Sequence, residues 1–143
     1  MADIYHEFPI KAPPARVFWA VSHPSGLDEW WTKRSSGEQK EGGLYELWFG
    51  PEYDWRAKVT RWTPNSDFEL EIVRADDDWR GTRVGFHLED RNGSTSVRFY
   101  HKNWPAVNEH YRVSCYCWAM YLRILRRHLE HGESVPYEKR LSV

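Results

Sequence analysis

Charge of one sign is nearly missing from this sequence as a surplus: the formal net charge is −1 in 143 residues. That excludes the basic stripe of a general nucleic-acid binder. No apolar run approaches the roughly 20 residues that span a bilayer, so no membrane association is expected. The first residues, Met1-Ala2-Asp3-Ile4-Tyr5-His6-Glu7, have neither the basic start nor the apolar stretch of a signal peptide, and the expected compartment is the cytoplasm. Cysteine is scarce too, with Cys115 and Cys117 alone. Two residues apart on a helix, their side chains point about 200° apart and cannot readily bridge. The spacing is not the C-x-x-C of a redox or zinc site. Both read as small apolar core residues. With no linker, repeat or low-complexity tract, residues 1–143 are expected to form one domain.

Motifs of catalysis and metal binding are also missing. There is no G-x-S-x-G elbow and no H-E-x-x-H pair. Gly42-Gly43 leads into a strand, where it cannot cradle a phosphate at a helix start. Asp76-Asp77-Asp78 lacks the spaced ligands of a calcium loop and reads as a solvated turn. His128 and His131 could touch one metal at i, i+3, but they read as a solvated helix end. No catalytic residue, metal or cofactor is therefore assigned.

Aromatic residues are abundant: nine Trp, eight Tyr and six Phe, 16% of the chain. Such rings serve cores, interfaces or ligand pockets, and hydropathy patterning distributes them. Ile4, Phe8 and Ile10 share one face of a first strand with His6. Pro13-Pro14 opens a short helix over Ala15–Val21, and Ser25-Gly26-Leu27-Asp28 reads as a capping box before Glu29-Trp30-Trp31 and a second short helix. Period-two runs follow at Leu44–Phe49, Trp55–Thr60, Phe68–Ile72, Thr82–Leu88 and Thr95–His101, with Asn92-Gly93 as a hairpin turn. One apolar and one polar face imply an antiparallel sheet. After Val107 the period changes. Tyr111, Cys115, Trp118, Leu122, Leu125 and Leu129 form one helical stripe, and Gly132 ends it. Strands grouped before one long helix, near residues 107–131, give an α+β fold.

Three segments carry a likeness to a known family. They are Phe8-Pro9-Ile10-Lys11-Ala12-Pro13-Pro14-Ala15-Arg16-Val17-Phe18, then Gly42-Gly43-Leu44-Tyr45-Glu46-Leu47-Trp48-Phe49-Gly50, and His101-Lys102-Asn103-Trp104-Pro105 with Trp118-Ala119-Met120-Tyr121-Leu122-Arg123-Ile124-Leu125. Through them the chain resembles the START-like, or SRPBCC, helix-grip superfamily. The branch it resembles is the one named after the activator of heat-shock-protein-90 ATPase homologue. The resemblance implies a curved antiparallel sheet of six or seven strands around the C-terminal helix, with two short helices after the first strand. It also implies that the last strand, Val97–His101, lines a cavity. Members include lipid carriers, hormone receptors and aromatase/cyclases, so the superfamily specifies no single activity.

Faces and resemblance together place Tyr45, Phe49, Trp55, Phe86, Phe99, Trp118 and Tyr121 around an internal cavity, with Arg61 and His101 as its polar groups. The expected function is binding of a hydrophobic or aromatic small molecule by a monomer or weak dimer. Two alternatives remain: a chaperone-cofactor-like interaction domain, and a cyclase-like enzyme acting on a polyketide-type substrate. The chaperone reading is weakened because the eukaryotic activators carry a further N-terminal chaperone-binding domain that is not seen here.

Overall fold

Alternating hydropathy builds seven strands in the computed structural model, which describes residues 1–143. They are β1 (Ala2–Ile10), β2 (Arg34–Gly37), β3 (Leu44–Trp48), β4 (Asp54–Thr63), β5 (Asp67–Arg74), β6 (Arg83–Asp90) and β7 (Thr95–Trp104). The sheet is antiparallel in the order β1-β7-β6-β5-β4-β3-β2. Five connections therefore join neighbours, and only β1 pairs across the chain, with Ile4 opposite His101. The β6–β7 turn takes positive φ at Asn92 and Gly93, 59° and 95°, as a tight two-residue hairpin requires.

Helices α1 (Pro14–Ser22) and α2 (Pro24–Leu27) follow β1, and α3 (Glu109–His131) follows β7. The apolar stripe of α3 meets the inner face of the sheet, burying Trp118, Leu122, Ile124, Leu125 and Leu129. The core comprises 29 buried apolar residues, and it is filled with rings: Trp30, Trp104, Trp118, Tyr45, Phe68 and Phe99 are all fully buried.

Several details depart from the sequence expectation. Helix α3 begins at Glu109, because the Asn108 side chain caps it by accepting from the Tyr111 N–H at 2.9 Å. Helix α2 begins before the expected capping box. Pro24 occupies its first turn and the His23 ring caps it, accepting from the Ser25 N–H, so Trp30 and Trp31 lie beyond its end. Edge strand β2, Arg-Ser-Ser-Gly, has no apolar alternation to announce it. Neither cysteine is a fully buried core residue; both are half-buried.

Arg61 is displaced by a bulge. The β4–β5 register shifts between Val59 and Arg61, and one extra residue inverts the alternation beyond it. Arg61 is exposed as a result. Trp62 turns inward instead and meets Phe18 and Phe68 edge-on.

Candidate ligand-binding site

Beside α3, a cavity of about 350 Å³ opens on one flank of the core. Helix α3 supplies His110, Val113, Ser114, Cys117, Trp118 and Tyr121. The β3–β4 connection adds Phe49 and Tyr53, and the start of β4 adds Trp55. The β5–β6 turn adds Asp76 and Trp79, and Trp31 and Tyr137 complete the lining. Tyr53, Asp76 and Val113 are exposed and border the mouth.

Two irregular segments make this wall. In the β5–β6 turn, the Trp79 N–H donates to the Asp76 carbonyl at 2.9 Å, which folds the Trp79 indole over the core. It lies 4.9 Å from the Trp55 ring and 5.8 Å from Trp118, centroid to centroid. The second segment is the C-terminal 3-10 turn, Tyr137–Ser142. Arg140 is buried beneath it and donates to the carbonyls of Val135, Thr32 and Asp28. The Tyr137 hydroxyl donates to the Phe49 carbonyl at 3.1 Å.

Burial shapes the ionisation of the lining. It raises the Tyr121 hydroxyl to about 12, with smaller contributions from Tyr137 and Cys117, and it raises the Cys117 thiol. Behind the wall, burial and the nearby His110 depress the His101 imidazole to about 3. Within the wall, the Trp79 Nε1–H is buried without a hydrogen-bond acceptor.

Of the nine residues expected around a cavity, Phe49, Trp55, Trp118 and Tyr121 line this one. The other five lie elsewhere. Tyr45 is fully buried, its hydroxyl donating to the Ser22 carbonyl at 2.6 Å. Its ring lies where a β-carbon on Gly37, its cross-strand partner, would be. Phe86 packs edge-on against Trp30 and Phe99, and Phe99 against Trp118 at 4.5 Å. His101 has no exposed surface and is bonded to Thr82 and Trp118. Arg61 is on the outer face. The helix does not stand off the sheet around an enclosed void. Large rings fill that space, and the opening is displaced to the flank.

Sequence reasoning missed Trp31 as a wall, and with it Tyr53, Asp76, Trp79, His110, Val113, Ser114, Cys117 and Tyr137. Trp79 carried one usable signal, a large ring inside an otherwise polar turn, Asp76-Asp77-Asp78-Trp79-Arg80-Gly81. Within that turn Asp77 pairs with Arg80, and Asp78 with His110. No group of three His, Cys, Asp or Glu side chains is arranged to hold a metal ion. His128 closes the end of α3, its Nδ1 3.0 Å from the Glu133 carbonyl. No helix is long and apolar enough to cross a membrane.

Among curated proteins, none matches the sequence. Solved structures do. CalU16 from Micromonospora echinospora superposes with a TM-score of 0.74 at 18% identity, over 98% of this chain and 81% of that one. SSP2350 from Staphylococcus saprophyticus gives 0.76 at 19%, over 94% and 96%. At these identities the likeness is one of fold. The Aha1 dimer from Colwellia psychrerythraea matches at 31% identity and a TM-score of 0.84, over 94% of this chain and 100% of that one. The family model described as activator of Hsp90 ATPase homolog 1-like protein matches residues 11–130, and the chain belongs to that family, within the SRPBCC helix-grip superfamily.

Proposed function

We propose that the protein binds an apolar or aromatic small molecule in the flank pocket. One observation carries this reading. Eight of the thirteen lining residues are aromatic (Trp31, Phe49, Tyr53, Trp55, Trp79, Trp118, Tyr121 and Tyr137), in a cavity at the lower end of the usual range of about 300–1,000 Å³. Rings on several walls, with a few polar atoms at the mouth, suit a flat organic body. No hydrogen bond joins His110 to Ser114 or Cys117 in the lining, which favours binding over catalysis.

The test is a titration of the intact protein with neutral aromatic compounds and steroids, followed by tryptophan fluorescence. Saturable shifts at sub-millimolar concentration are expected, with at least a tenfold weakening on Trp55→Ala. Failure of the whole panel to shift the signal would leave the protein-interaction reading in its place.

That second reading has its own observation. Val113, at the pocket mouth, and Tyr116 stand exposed one turn apart on α3, 50% and 77% accessible. The Colwellia relative is a dimer, and a dimer of this chain through the Val113 face would cover the pocket mouth. Sedimentation of the protein against Tyr116→Glu tests it: a concentration-dependent dimer lost in the variant supports it, and a monomer throughout dismisses it.

A further inference from the structure

We propose that the ligand of this pocket carries a cationic group, an amine or quaternary ammonium on an apolar body, held beside Asp76, Trp55 and Trp79. The inference rests on the binding reading above and adds the sign of the ligand's charge.

The lining contains no lysine and no arginine. Apart from Tyr hydroxyls and the Cys117 thiol, its ionisable groups are Asp76 and His110. His110 brings its own counter-charge, with Nδ1 3.1 Å from Asp78 Oδ2. Asp77 is paired with Arg80 at 3.0 Å, and Arg74 lies toward Asp54. The Asp76 carboxylate is left without a partner at the lip. A main-chain bond ties Trp79 N–H to the Asp76 carbonyl, and both residues border the same pocket. Aromatic faces carry negative quadrupole potential and attract cations, Trp most strongly. Carboxylate and rings therefore favour the same sign.

The Tyr137 wall of the pocket is already supplied with cations. Lys33 and Arg140 lie 5.8 and 5.4 Å from the Tyr137 ring. The charged group therefore belongs at the Asp76 end, with the apolar body extending toward Trp31 and Tyr137. An anionic group at the Asp76 end would lose water among rings, meet no lining cation and face Asp76. The groove on the other flank of α3 contrasts with this one: Arg123 and Arg126 both border it.

Three probes of one shape class test the proposal: benzyltrimethylammonium, its uncharged carbon isostere neopentylbenzene, and 3-phenylpropionate. Each is titrated into the full chain at low salt with tryptophan fluorescence as readout. Benzyltrimethylammonium is expected to bind about fivefold more tightly than neopentylbenzene, and 3-phenylpropionate at least tenfold more weakly than either. Asp76→Asn, at an exposed position where folding is not at stake, should narrow the gap between the first two affinities by weakening only the cation. Equal affinities in the parent protein, or a preference untouched by Asp76→Asn, would overturn the proposal and leave the binding reading standing. No binding by any probe would overturn both.

Discussion

Trp118 Nε1–H donates to His101 Nδ1 across 3.0 Å inside the core. An indole nitrogen can only donate, so His101 must accept there and carry its proton on Nε2. That proton is donated to Thr82 Oγ1 at 2.8 Å, and the Thr82 hydroxyl in turn donates to the Trp79 carbonyl. The chain of donors runs one way and ties together Trp118 and Trp79, two walls of the pocket. His101 thus acts on the site from behind.

The two indoles should respond differently to loss of their N–H. Trp118→Phe leaves His101 Nδ1 buried without a donor and opens space, at a cost of about 2–4 kcal/mol. Trp79→Phe removes a donor that has no acceptor and should cost about 1 kcal/mol or less beyond lost packing. Urea melts of the two variants compare them directly. Equal losses would mean that the hydrogen bond contributes nothing.

Protonating His101 would set an N–H against the Trp118 N–H. Its folded pKa, about 3, lies below the ordinary histidine value of about 6.5. The unfolded chain therefore takes up the proton first as pH falls. The stabilisation is complete above about pH 6.5 and is lost progressively as pH falls toward 3. A His101→Gln variant should be less stable at neutral pH and should show a flatter stability profile across that window. Parallel profiles for parent and variant would contradict the assignment.

The outer face of the sheet holds a second polar cluster. Glu69 is buried and accepts from the Tyr100 hydroxyl at 2.5 Å, Thr60 at 2.7 Å and Arg83 at 3.0 Å. Burial alone would raise its carboxyl, but the donors outweigh burial and hold it below the ordinary value. Its contribution is present above the unfolded pKa and disappears as pH falls through the folded one. Tyr100→Phe should cost about 1–2 kcal/mol at pH 7 and little once Glu69 is protonated. Thermal melts at pH 7 and under acid conditions measure the difference.

Arg140→Gln should free the C-terminal turn without unfolding the domain, because its bonds hold one segment to the α2–β2 region. Amide exchange over residues 137–142 should accelerate to near-unprotected rates while global stability changes by less than about 1 kcal/mol. Probe affinity should fall with the Tyr137 wall. Unchanged exchange would show that Tyr137 alone anchors the turn.

The sheet was legible because period-two hydropathy is imposed by burial of one face, and the long helix because its stripe shifts to a four-three spacing at Tyr111. β2 was not, since Arg34-Ser35-Ser36-Gly37 buries too little to leave a pattern. Arg61 was misplaced because a bulge has no hydropathy signature. The pocket was half legible. Trp55, Trp118 and Tyr121 belong to periodic elements and Phe49 continues the alternation of β3, and periodicity points them inward. Trp79 and Tyr137 belong to a turn and a terminal segment, where only tertiary hydrogen bonds decide what faces what. Periodicity also cannot separate a ring that lines an opening from one that plugs it, and Phe86, Phe99 and His101 plug.

The pairing of β1 with β7 sets an order of events for a growing polypeptide. Every other strand finds a neighbour through a local connection, but Ile4, Phe8 and Ile10 have no ladder to join until His101 and the residues around it have been made. While the sheet grows from β2 toward β7, the first strand emerges with an unsatisfied edge and a sticky face. This is the state in which extended segments are most readily captured by another chain. Closure across the chain is also a contact of long sequence separation, the kind that slows folding. Kinetic risk should therefore concentrate in β1, and Pro9 within it, which cannot donate to a ladder, lowers the chance that the waiting strand pairs with a stranger.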